Sequence, residues 1–531
     1  MQGKPTPFTG GGNVTMDKNL ALRGISIFLF SVLTVLGIVF SIYIMLITKT
    51  VFSEIVALAF LVLSAVSGFF NTFTSYSYYR SYLYDKHLEK IQKGLKPIKR
   101  YPTVAVIVPV YNENIAITEK NFLRLMEMDY PKEKISFYLL DDSTDPKIRN
   151  ALERFASKKG VSYIHRTDRK NFKAGALNNF CVNAKEEFLA IFDYDEYLTD
   201  KRFVLDLLPY FSNKKLSYVQ TEKRFQKGTF FSDTVDIFHG FFFKFIQPSR
   251  ALNNTGIFAG SCGMIKTSYL KKIGGFPEYV TEDTFFSFES DANGYESLYV
   301  PKSYALGAPI TKFSHLAKQQ WRYNYGDTQF LGYFVSKILG KKTKKPKSKW
   351  LMVDYVTHGF GLNYISVVLI IFTLVSVAIV FSGLTIVPNS GIAGLLTSGS
   401  AEIIFETLGV LAFSLSLLAP VVVTKLYFGS LRKGFMMLVL NFALAFIRTK
   451  AALLAIFNST VKNSWTGISF LKADKGITFA LKNSVVETVF SGVLFVLGII
   501  AMLINNMYGG LWLMGYGLFY ISTAYMFYKY R

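Results

Sequence analysis

Three short motifs in the middle of this chain carry side chains that can do chemistry. Asp193 and Asp195 flank one tyrosine and offer hard oxygen ligands for a divalent cation. Glu282 and Asp283 are adjacent, and a carboxylate there can take a proton from a hydroxyl. The pentad at 319–323, Gln-Gln-Trp-Arg-Tyr, supplies a guanidinium for phosphate and aromatic rings for a sugar. In this order the motifs predict transfer of a sugar from a nucleotide-sugar.

The acidic pairs also have ordinary structural interpretations. Two acidic residues in a loop are usually solvated, and an acidic pair at a helix start commonly complements the helix dipole. For Asp193 and Asp195 the metal hypothesis is favoured, because an apolar run precedes them and Asp141 and Asp142 lie upstream. Mg²⁺ or Mn²⁺ is the expected ion, since such ions keep some waters and bind few carboxylates together with substrate phosphates.

A basic segment precedes the first acidic pair. Residues 173–178, Lys-Ala-Gly-Ala-Leu-Asn, open a predicted helix with a cation, a glycine that permits close approach, and exposed amides. The alternative is an ordinary amphipathic helix start. Arg166, Arg169 and Lys170 add positive charge just before this segment, which favours a phosphate-facing role.

These motifs need a scaffold, and the region from 100 to 310 alternates between short β-rich runs and helical patterns. The predicted strands are 103–110, 135–140, 161–165, 188–192 and 216–220. The predicted helices are 115–128, 146–156 and 172–184. This alternation predicts an α/β domain with a mainly parallel sheet, in which ligands gather at the carboxyl ends of the strands. The residues that follow predicted strands include Tyr111, Glu113, Asp141, Asp142 and Asp193.

Apolar runs on both sides of this domain indicate a membrane protein. The 531-residue chain is 51% hydrophobic, and a spanning helix needs about 20 apolar residues. The candidate spans, two before the domain and four after it, are 24–48, 55–79, 364–387, 408–424, 485–504 and 509–528. A further stretch at 434–447 is shorter and runs into Arg448 and Lys450, so we expect an interfacial or re-entrant helix there.

The distribution of basic residues predicts the orientation. Lys4, Lys18 and Arg23 precede the first span, whereas the loops at 388–402 and 505–510 contain no lysine or arginine. By the positive-inside bias, both termini and the α/β domain are cytoplasmic, in a multi-pass protein of the cell membrane.

The chain therefore divides into five parts. They are a disordered tail at 1–20, two spans at 21–80, a cytoplasmic domain at 81–317, an interfacial helix with a basic linker at 318–350, and four spans at 351–531, with a further interfacial helix near 434–460 and a loop near 463–480. The formal net charge of +23 suits anionic lipid and an anionic substrate. No aromatic-basic repeat or nucleic-acid motif occurs, so nucleic acid is not an expected partner. Two cysteines, Cys181 and Cys262, do not make a disulfide framework.

Seven segments together resemble the membrane-bound processive glycosyltransferases of family 2, the group that contains the cellulose, hyaluronan and chitin synthases. They are 109–113 (Pro-Val-Tyr-Asn-Glu), 141–143 (Asp-Asp-Ser), 173–178, the Asp193 and Asp195 pair, 258–262 (Phe-Ala-Gly-Ser-Cys), 281–283 (Thr-Glu-Asp) and the pentad at 319–323. The resemblance covers nearly everything from residue 20 onward. It implies a GT-A-type domain, and the arrangement of two spans before it and four after it is similar to that of hyaluronan synthases.

The resemblance also implies roles for individual residues. The implied donor contacts are Tyr111, Glu113, Asp141, Asp142, Lys173, Asp193, Gln319, Arg322 and Lys475. Asp195, with Asp193, would hold the metal. Asp283, with Glu282 beside it, would be the catalytic base. Trp321 and Tyr323 would contact the acceptor, and inversion at the anomeric carbon would give a β-linked product from a UDP-linked α-sugar.

Two segments depart from the family pattern. The pentad ends in Tyr323 where the family has tryptophan, so the stacking face is smaller and carries a hydroxyl. Residues 470–475 are similar to the gating loop of cellulose synthases but carry Lys472 and Ala473 where valine and threonine are usual. Lys475 could still reach phosphate, but the threonine contact is absent.

Three functions remain open on the sequence. Polymerisation coupled to export is favoured by the six spans, the pentad and the gating-like loop. A non-processive transferase that acts once on a lipid acceptor would use the same chemistry, and Tyr323 is the feature that favours it. A non-catalytic channel or transporter would need neither a metal-binding pair nor a base on a cytoplasmic domain. The residues specify neither the sugar nor the linkage.

Overall fold

The computed structural model describes residues 51–339, 349–381, 421–457 and 476–531 continuously, together with separate positions between 24 and 42 and at 418. Several predicted segments lie outside the described residues. They are the tail at 1–20, most of the spans at 24–48 and 408–424, the end of the span at 364–387, residues 340–348 of the basic linker, the loop at 388–402 and the gating-like segment at 470–475 with Lys475.

A seven-stranded sheet forms the centre of the α/β domain, with strand order β3-β2-β1-β4-β8-β6-β9. Its strands are β1 (Val104–Val110), β2 (Ile135–Asp141), β3 (Ser162–His165), β4 (Phe188–Ile191), β6 (Leu216–Thr221), β8 (Gly263–Lys266) and β9 (Glu296–Val300). A three-stranded sheet contains β5 (Tyr197–Leu198), β10 (Ala305–Gly307) and β7 (Arg224–Phe225). In the large sheet β8 alone runs antiparallel to its neighbours, so the predicted α/β class with a mainly parallel sheet is confirmed.

The described helices lie around and beyond this sheet. Those of the α/β domain are α2 (Ile115–Leu125), α3 (Pro146–Lys159), α4 (Phe172–Asn183), α5 (Phe203–Leu207), α6 (Phe230–Phe241), α7 (Gln247–Ala251), α8 (Thr267–Lys272) and α9 (Glu282–Ala292). The others are α1 (Val51–Lys93), α10 (Phe313–Leu339), α11 (Lys349–Phe381), α12 (Leu431–Phe457), α13 (Gly476–Asn483), α14 (Val485–Leu503) and α15 (Met507–Lys529). Helix α1 crosses the predicted boundary at residue 80 without a break.

Local sequence signals account for several helix ends. Helix α2 begins after Asn114, whose side chain accepts a hydrogen bond from the amide of Ile117 at 3.1 Å. Helix α3 begins with Pro146 after the capping Asp145 and ends at Gly160, which has φ +67°. Such caps satisfy backbone groups that the helix itself leaves unpaired, so these boundaries follow from the sequence.

The central strand β1 is buried on both faces. Val104, Val106 and Val108 pack in the cluster that includes helices α2, α3 and α5, whereas Ala105 and Ile107 pack in the cluster that includes α4. A strand covered on both faces needs a continuous apolar run, as β1 has. This two-sided packing fixes the carboxyl ends of β1, β2 and β4 at one edge, where the sequence places its acidic residues.

Two described helices, α12 and α14, are long and apolar enough to cross a membrane. Helix α14 corresponds to the predicted span at 485–504. Helix α12 is longer than the stretch predicted at 434–447, because it continues through Arg448 and Lys450 to Phe457. From the sequence, these two charges predict the end of the apolar stretch. In the structure, however, Arg448 is fully buried and hydrogen-bonded. The count of six spans stays a prediction.

Helices α1 and α11 are joined to the α/β domain by buried polar contacts. The Tyr84 hydroxyl of α1 donates to the carbonyl of Tyr299 at 2.5 Å and accepts from the Tyr299 amide at 3.0 Å. Asp354 of α11 lies 3.7 Å from Arg80 of α1 and accepts from the Thr255 hydroxyl at 2.7 Å. These contacts hold the domain against the two flanking helices.

Candidate active site

Two predicted donor residues, Asp141 and Asp142, lie at the carboxyl end of β2 and are bonded within the protein. Asp141 accepts hydrogen bonds from the Tyr163 hydroxyl at 2.6 Å and the Ser143 amide at 2.8 Å. Asp142 forms a two-point ion pair with Arg166, at 2.8 Å to Nε and 2.5 Å to Nη2. Arg166 also donates to the carbonyls of Lys170 and Phe172, at 3.0 Å each, so it fixes the loop before α4.

Tyr111 and Glu113 follow β1 at the same edge. The Arg169 guanidinium lies 3.1 Å from the centre of the Tyr111 ring, so that ring already has a cation over its face. Burial raises the pKa of Glu113, the nearby Asp193 charge adds to this, and a hydrogen bond with Tyr194 opposes it. The structure thus brings Glu113 close to the acidic motif and places Tyr111 against Arg169.

Asp193 is held by two lysines. Its carboxylate oxygens lie 2.5 Å from Nζ of Lys173 and 3.2 Å from Nζ of Lys223, and it accepts from the Ser261 hydroxyl at 2.8 Å. Burial alone would raise its pKa, but the two lysine charges hold the pKa of Asp193 well below its usual range. Lys173 also donates to the carbonyl of Gly260 at 3.0 Å. Asp193 is therefore ionised, and the two lysines already balance its negative charge.

Asp195 has a different environment. Its carboxylate accepts a hydrogen bond from the Ala308 amide at 3.3 Å. Burial raises its pKa to about 7, and the charges of Asp193 and Glu196 contribute in the same direction. A carboxylate in such surroundings gains from an added cation, so Asp195 fits the predicted metal ligand better than the lysine-bound Asp193 does. Within the described residues, no group of three or more His, Cys, Asp or Glu side chains is placed to hold a metal ion.

The second acidic pair lies in the first turn of α9. Asp283 Oδ1 accepts from the Thr284 amide at 2.8 Å. A Cβ built on Gly260, which has φ +79°, would lie 3.2 Å from Asp283 Oδ2 and 3.7 Å from Nζ of Lys173. Burial raises the pKa of Glu282 to about 7, with the Asp283 charge as the next cause, and burial also raises the pKa of Asp283. Burial thus makes both carboxyls more basic than in water, which suits proton removal from a hydroxyl.

Helix α10 carries the pentad and brings Arg322 to the acidic residues. Burial would lower the pKa of Arg322, but the charges of Tyr323, Glu282 and Asp283 keep it raised. Its guanidinium lies 5.6 Å from the centre of the Tyr323 ring. The electrostatic neighbours of Arg322 also include Asp193, so the charge of this arginine interacts with both acidic motifs.

Three other residues of the pentad contact neighbouring helices. Gln320 Oε1 accepts from Arg448 of α12, at 2.9 Å to Nη2 and 3.2 Å to Nε. Trp321 is 4% exposed and packs in an apolar cluster with residues of α6 and α12. Gln319 lies beside His239. The described contacts of Trp321 are therefore packing contacts, and its predicted role at the acceptor, like the donor role of Gln319, stays a prediction.

Gly326 lets α10 approach the Thr-Glu-Asp turn. A Cβ on Gly326 would lie 2.4 Å from Cγ2 and 2.5 Å from Oγ1 of Thr281, so an added methyl group has no room. We expect Gly326→Ala to destabilise the protein by about 1–3 kcal/mol, the usual cost of overpacking, and to lower its thermal unfolding temperature. The matched control is Gly332→Ala on the same helix, where nothing lies within 4 Å. Equal unfolding temperatures for the two variants in detergent would contradict this account.

Sequence reasoning missed Lys223, Ser261 and Glu196. Glu196 accepts from the Ser261 hydroxyl at 2.7 Å and lies 3.2 Å from Lys223, so the three complete the surroundings of Asp193. Ser261 lies inside the segment 258–262 that the resemblance marked, but Lys223 and Glu196 carry no local signal.

Two family models match this chain. Residues 105–274 match the glycosyl transferase family 2 model, and residues 190–528 match the glycosyl transferase family group 2 model. The cellulose synthase catalytic subunit (UDP-forming) of Pseudomonas fluorescens is 30% identical over 253 residues, which are 46% of this chain and 34% of that protein. The probable glucomannan 4-beta-mannosyltransferase 7 of Oryza sativa is 29% identical over 266 residues, 48% of this chain and 45% of that protein.

Among solved structures, a mannosyltransferase from Pyrobaculum calidifontis in complex with GDP-Man and Mn²⁺ aligns with a TM-score of 0.46 and 18% identity, over 74% of this chain and 97% of that one. The chain spans about a third of the length of the first cellulose synthase it matches. The family group 2 model, however, covers well over half of this chain, and the residues it covers include both acidic motifs and the pentad. The chain therefore belongs to glycosyltransferase family 2 and is a glycosyltransferase.

Proposed function

We propose that this enzyme is a membrane-embedded, inverting hexosyltransferase that moves a sugar from a UDP-sugar onto a growing β-linked polysaccharide, with export of the product across the membrane. The observation that carries the proposal is the meeting of Lys173, Arg322 and two acidic motifs at one edge of the sheet. The similarity to UDP-forming cellulose synthases supports the nucleotide and the polymer.

The donor end of the site is built around positive charge. Lys173 at the start of α4, with Lys223 and Arg322, would bind the diphosphate, since amides at a helix start and cations together favour phosphate. Tyr111, Glu113, Asp141 and Asp142 lie on the side where the nucleoside would bind. Asp195, with Asp193 beside it, would hold Mg²⁺ or Mn²⁺, which neutralises negative charge on a departing diphosphate.

The acceptor end is built around Asp283. Its carboxylate would take the proton of the acceptor hydroxyl while that oxygen attacks the anomeric carbon from the face opposite the diphosphate, which inverts the configuration. The Thr284 amide orients the carboxylate, and Glu282 keeps a second acidic group beside it. A single base with direct displacement needs no covalent sugar-enzyme intermediate.

The membrane arrangement follows from the apolar helices. We infer that the catalytic domain and both termini are cytoplasmic, that α10 lies at the membrane interface, and that the apolar helices surround the path of the product. Helices α12 and α14 support membrane insertion by length and composition. The contact between Gln320 on α10 and Arg448 on α12 places the pentad helix directly against a candidate span.

One experiment tests the reaction and the product together. The purified protein in lipid vesicles is incubated with Mn²⁺ and, in separate reactions, with several radiolabelled nucleotide-sugars, and the products are sized. A polymer of high mass supports the proposal. Release of free sugar alone from every donor would contradict it.

A non-processive transferase with a lipid acceptor is the second candidate, and Tyr323 is the observation that favours it.

Under the processive proposal, we expect Tyr323→Ala to lose most chain extension, and Tyr323→Trp to preserve or lengthen the product, because a larger ring gives a sugar more stacking area. Donor hydrolysis by water would continue in the alanine variant, since Arg322 and Asp195 remain. Product length on a sizing gel is the measurement.

The lipid-acceptor candidate predicts a different pattern. The parent enzyme would make lipid that carries a single sugar, and tryptophan at 323 would give no gain. Single-sugar lipid from both proteins, with no polymer, would overturn the processive proposal and leave the glycosyltransferase assignment intact.

A further inference from the structure

Behind the Asp283 turn lies a polar contact among three helices that the proposed reaction does not use directly. The Thr284 hydroxyl of α9 lies 3.3 Å from Nε2 of His358 on α11. The same nitrogen lies 3.7 Å from Oδ1 of Asp327 on α10. Thr284 is 4% exposed, and the His358 and Asp327 side chains are each 16% exposed. Three separate helices therefore meet at Nε2 of His358, and one of them carries Thr284, the residue next to the proposed base.

Thr284 also touches the base itself. Its amide donates to Asp283 Oδ1 at 2.8 Å, so one residue binds the base through its backbone and His358 through its side chain. The backbone of this turn is held independently, because the Ser287 hydroxyl donates to the Asp283 carbonyl at 2.7 Å and accepts from the Phe258 amide at 2.8 Å. These backbone contacts do not fix the orientation of the Asp283 carboxylate toward the acceptor, so another contact must do so.

The surroundings of Asp327 affect the pKa of its carboxyl. Burial raises the pKa of its carboxyl well above the usual range, and the nearby Asp283 charge raises it further, while Arg250 opposes the shift. Of two neighbouring acids in a poorly solvated place, one holds a proton while the other stays ionised. The shift favours the uncharged form of Asp327, which lies as a polar neighbour 3.7 Å from His358.

We propose that Thr284, His358 and Asp327 are positioning residues for Asp283, and that they hold the base at the angle needed to reach the acceptor hydroxyl. This inference rests on the proposed role of Asp283. It also links the base to α11, the helix that leads from the catalytic domain into a predicted span. A shift of α11 would reach the base through His358 and Thr284.

Removal of the hydroxyl tests the first contact. We expect Thr284→Val to lower kcat by about 10- to 100-fold, with the KM for the donor nearly unchanged, because a misplaced base slows proton removal without affecting nucleotide binding. Thr284→Ser should recover most of that loss. The matched control is Thr234→Val, which removes a buried hydroxyl that bonds within its own helix, to Phe230. Equal kcat for the valine and serine variants at 284 would overturn the inference.

A double-mutant cycle tests whether the residues act as one chain. If His358 acts through Thr284, the variant that combines Thr284→Val with His358→Gln should be no slower than the slower single variant. Multiplying effects would show independent roles and overturn the chain. Asp327→Asn should keep most of the rate, since the amide keeps a polar group of the same size beside His358, whereas Asp327→Leu should resemble Thr284→Val. The control for the histidine is His315→Gln, at an exposed position of α10.

Asp283→Asn in the same assay separates this inference from the proposed function. Transfer that persists in Asp283→Asn would remove the base assignment, and the positioning chain with it. Loss of transfer in Asp283→Asn, together with parent-like kcat in both Thr284→Val and Asp327→Leu, would overturn the positioning chain alone.

Discussion

Asp283→Asn is expected to lose transfer to an acceptor by about 100- to 10,000-fold, the usual contribution of a general base. The amide keeps the shape of the side chain and can still accept from the Thr284 amide, so the turn should remain folded. Donor affinity should stay close to that of the parent, because a base acts on the acceptor proton. Nucleotide-sugar binding by calorimetry and turnover by nucleotide release measure the two quantities separately.

The control for this variant is Asp129→Asn. Asp129 is exposed and lies outside the motifs and the elements that form the site. A parallel fall of donor affinity and rate in Asp283→Asn would assign Asp283 to donor binding instead. Its closeness to Lys173 and Arg322 makes this outcome a real alternative.

Asp195→Asn is expected to abolish turnover while the protein remains folded, because the carboxylate charge is lost with almost no change in volume. Manganese binding, followed by the loss of the free-ion signal in electron paramagnetic resonance, should weaken at the same time. Asp193→Asn should weaken manganese binding less, since Lys173 and Lys223 already neutralise Asp193. Activity within a few-fold of the parent, with intact metal dependence, would remove Asp195 from the metal site.

Much of the scaffold was accessible from the sequence. The five predicted strands agree with β1, β2, β3, β4 and β6 to within about two residues, as continuous apolar runs bounded by polar turns should. Strands β8 and β9 escaped prediction, because short strands in a mixed sheet are fixed by pairing with distant partners rather than by their own pattern.

The site was predictable to the extent that its residues lie in motifs. The acidic pairs and Arg322 do meet, as their order along the chain suggested. Lys223 did not stand out, because nothing near it in sequence reveals that it lies 3.2 Å from Asp193, thirty positions earlier. Trp321 lies in the same motif as Arg322, but adjacent side chains on a helix point in different directions, and this one packs in an apolar cluster. Its role at the acceptor stays a prediction.

The extension of helix α12 beyond the predicted stretch at 434–447 also has a physical reason. A charged residue normally ends an apolar run, but Arg448 bonds to Gln320 and Asn441 and lies 5.3 Å from the centre of the Phe238 ring. These partners belong to other helices or to the preceding turns of α12, and their arrangement exists only in the folded chain.

The two lysines on Asp193 have a consequence for turnover. The proposed diphosphate would bind Lys173 and Lys223, which already contact Asp193. Its binding would therefore replace the Asp193 carboxylate with another anion. When the spent nucleotide leaves, Asp193 can return to Lys173 and Lys223, and neither cation is left bare in a poorly hydrated place. In the proposed donor site Asp193 would therefore compete with the product for both lysines, which would weaken product binding and favour rapid release.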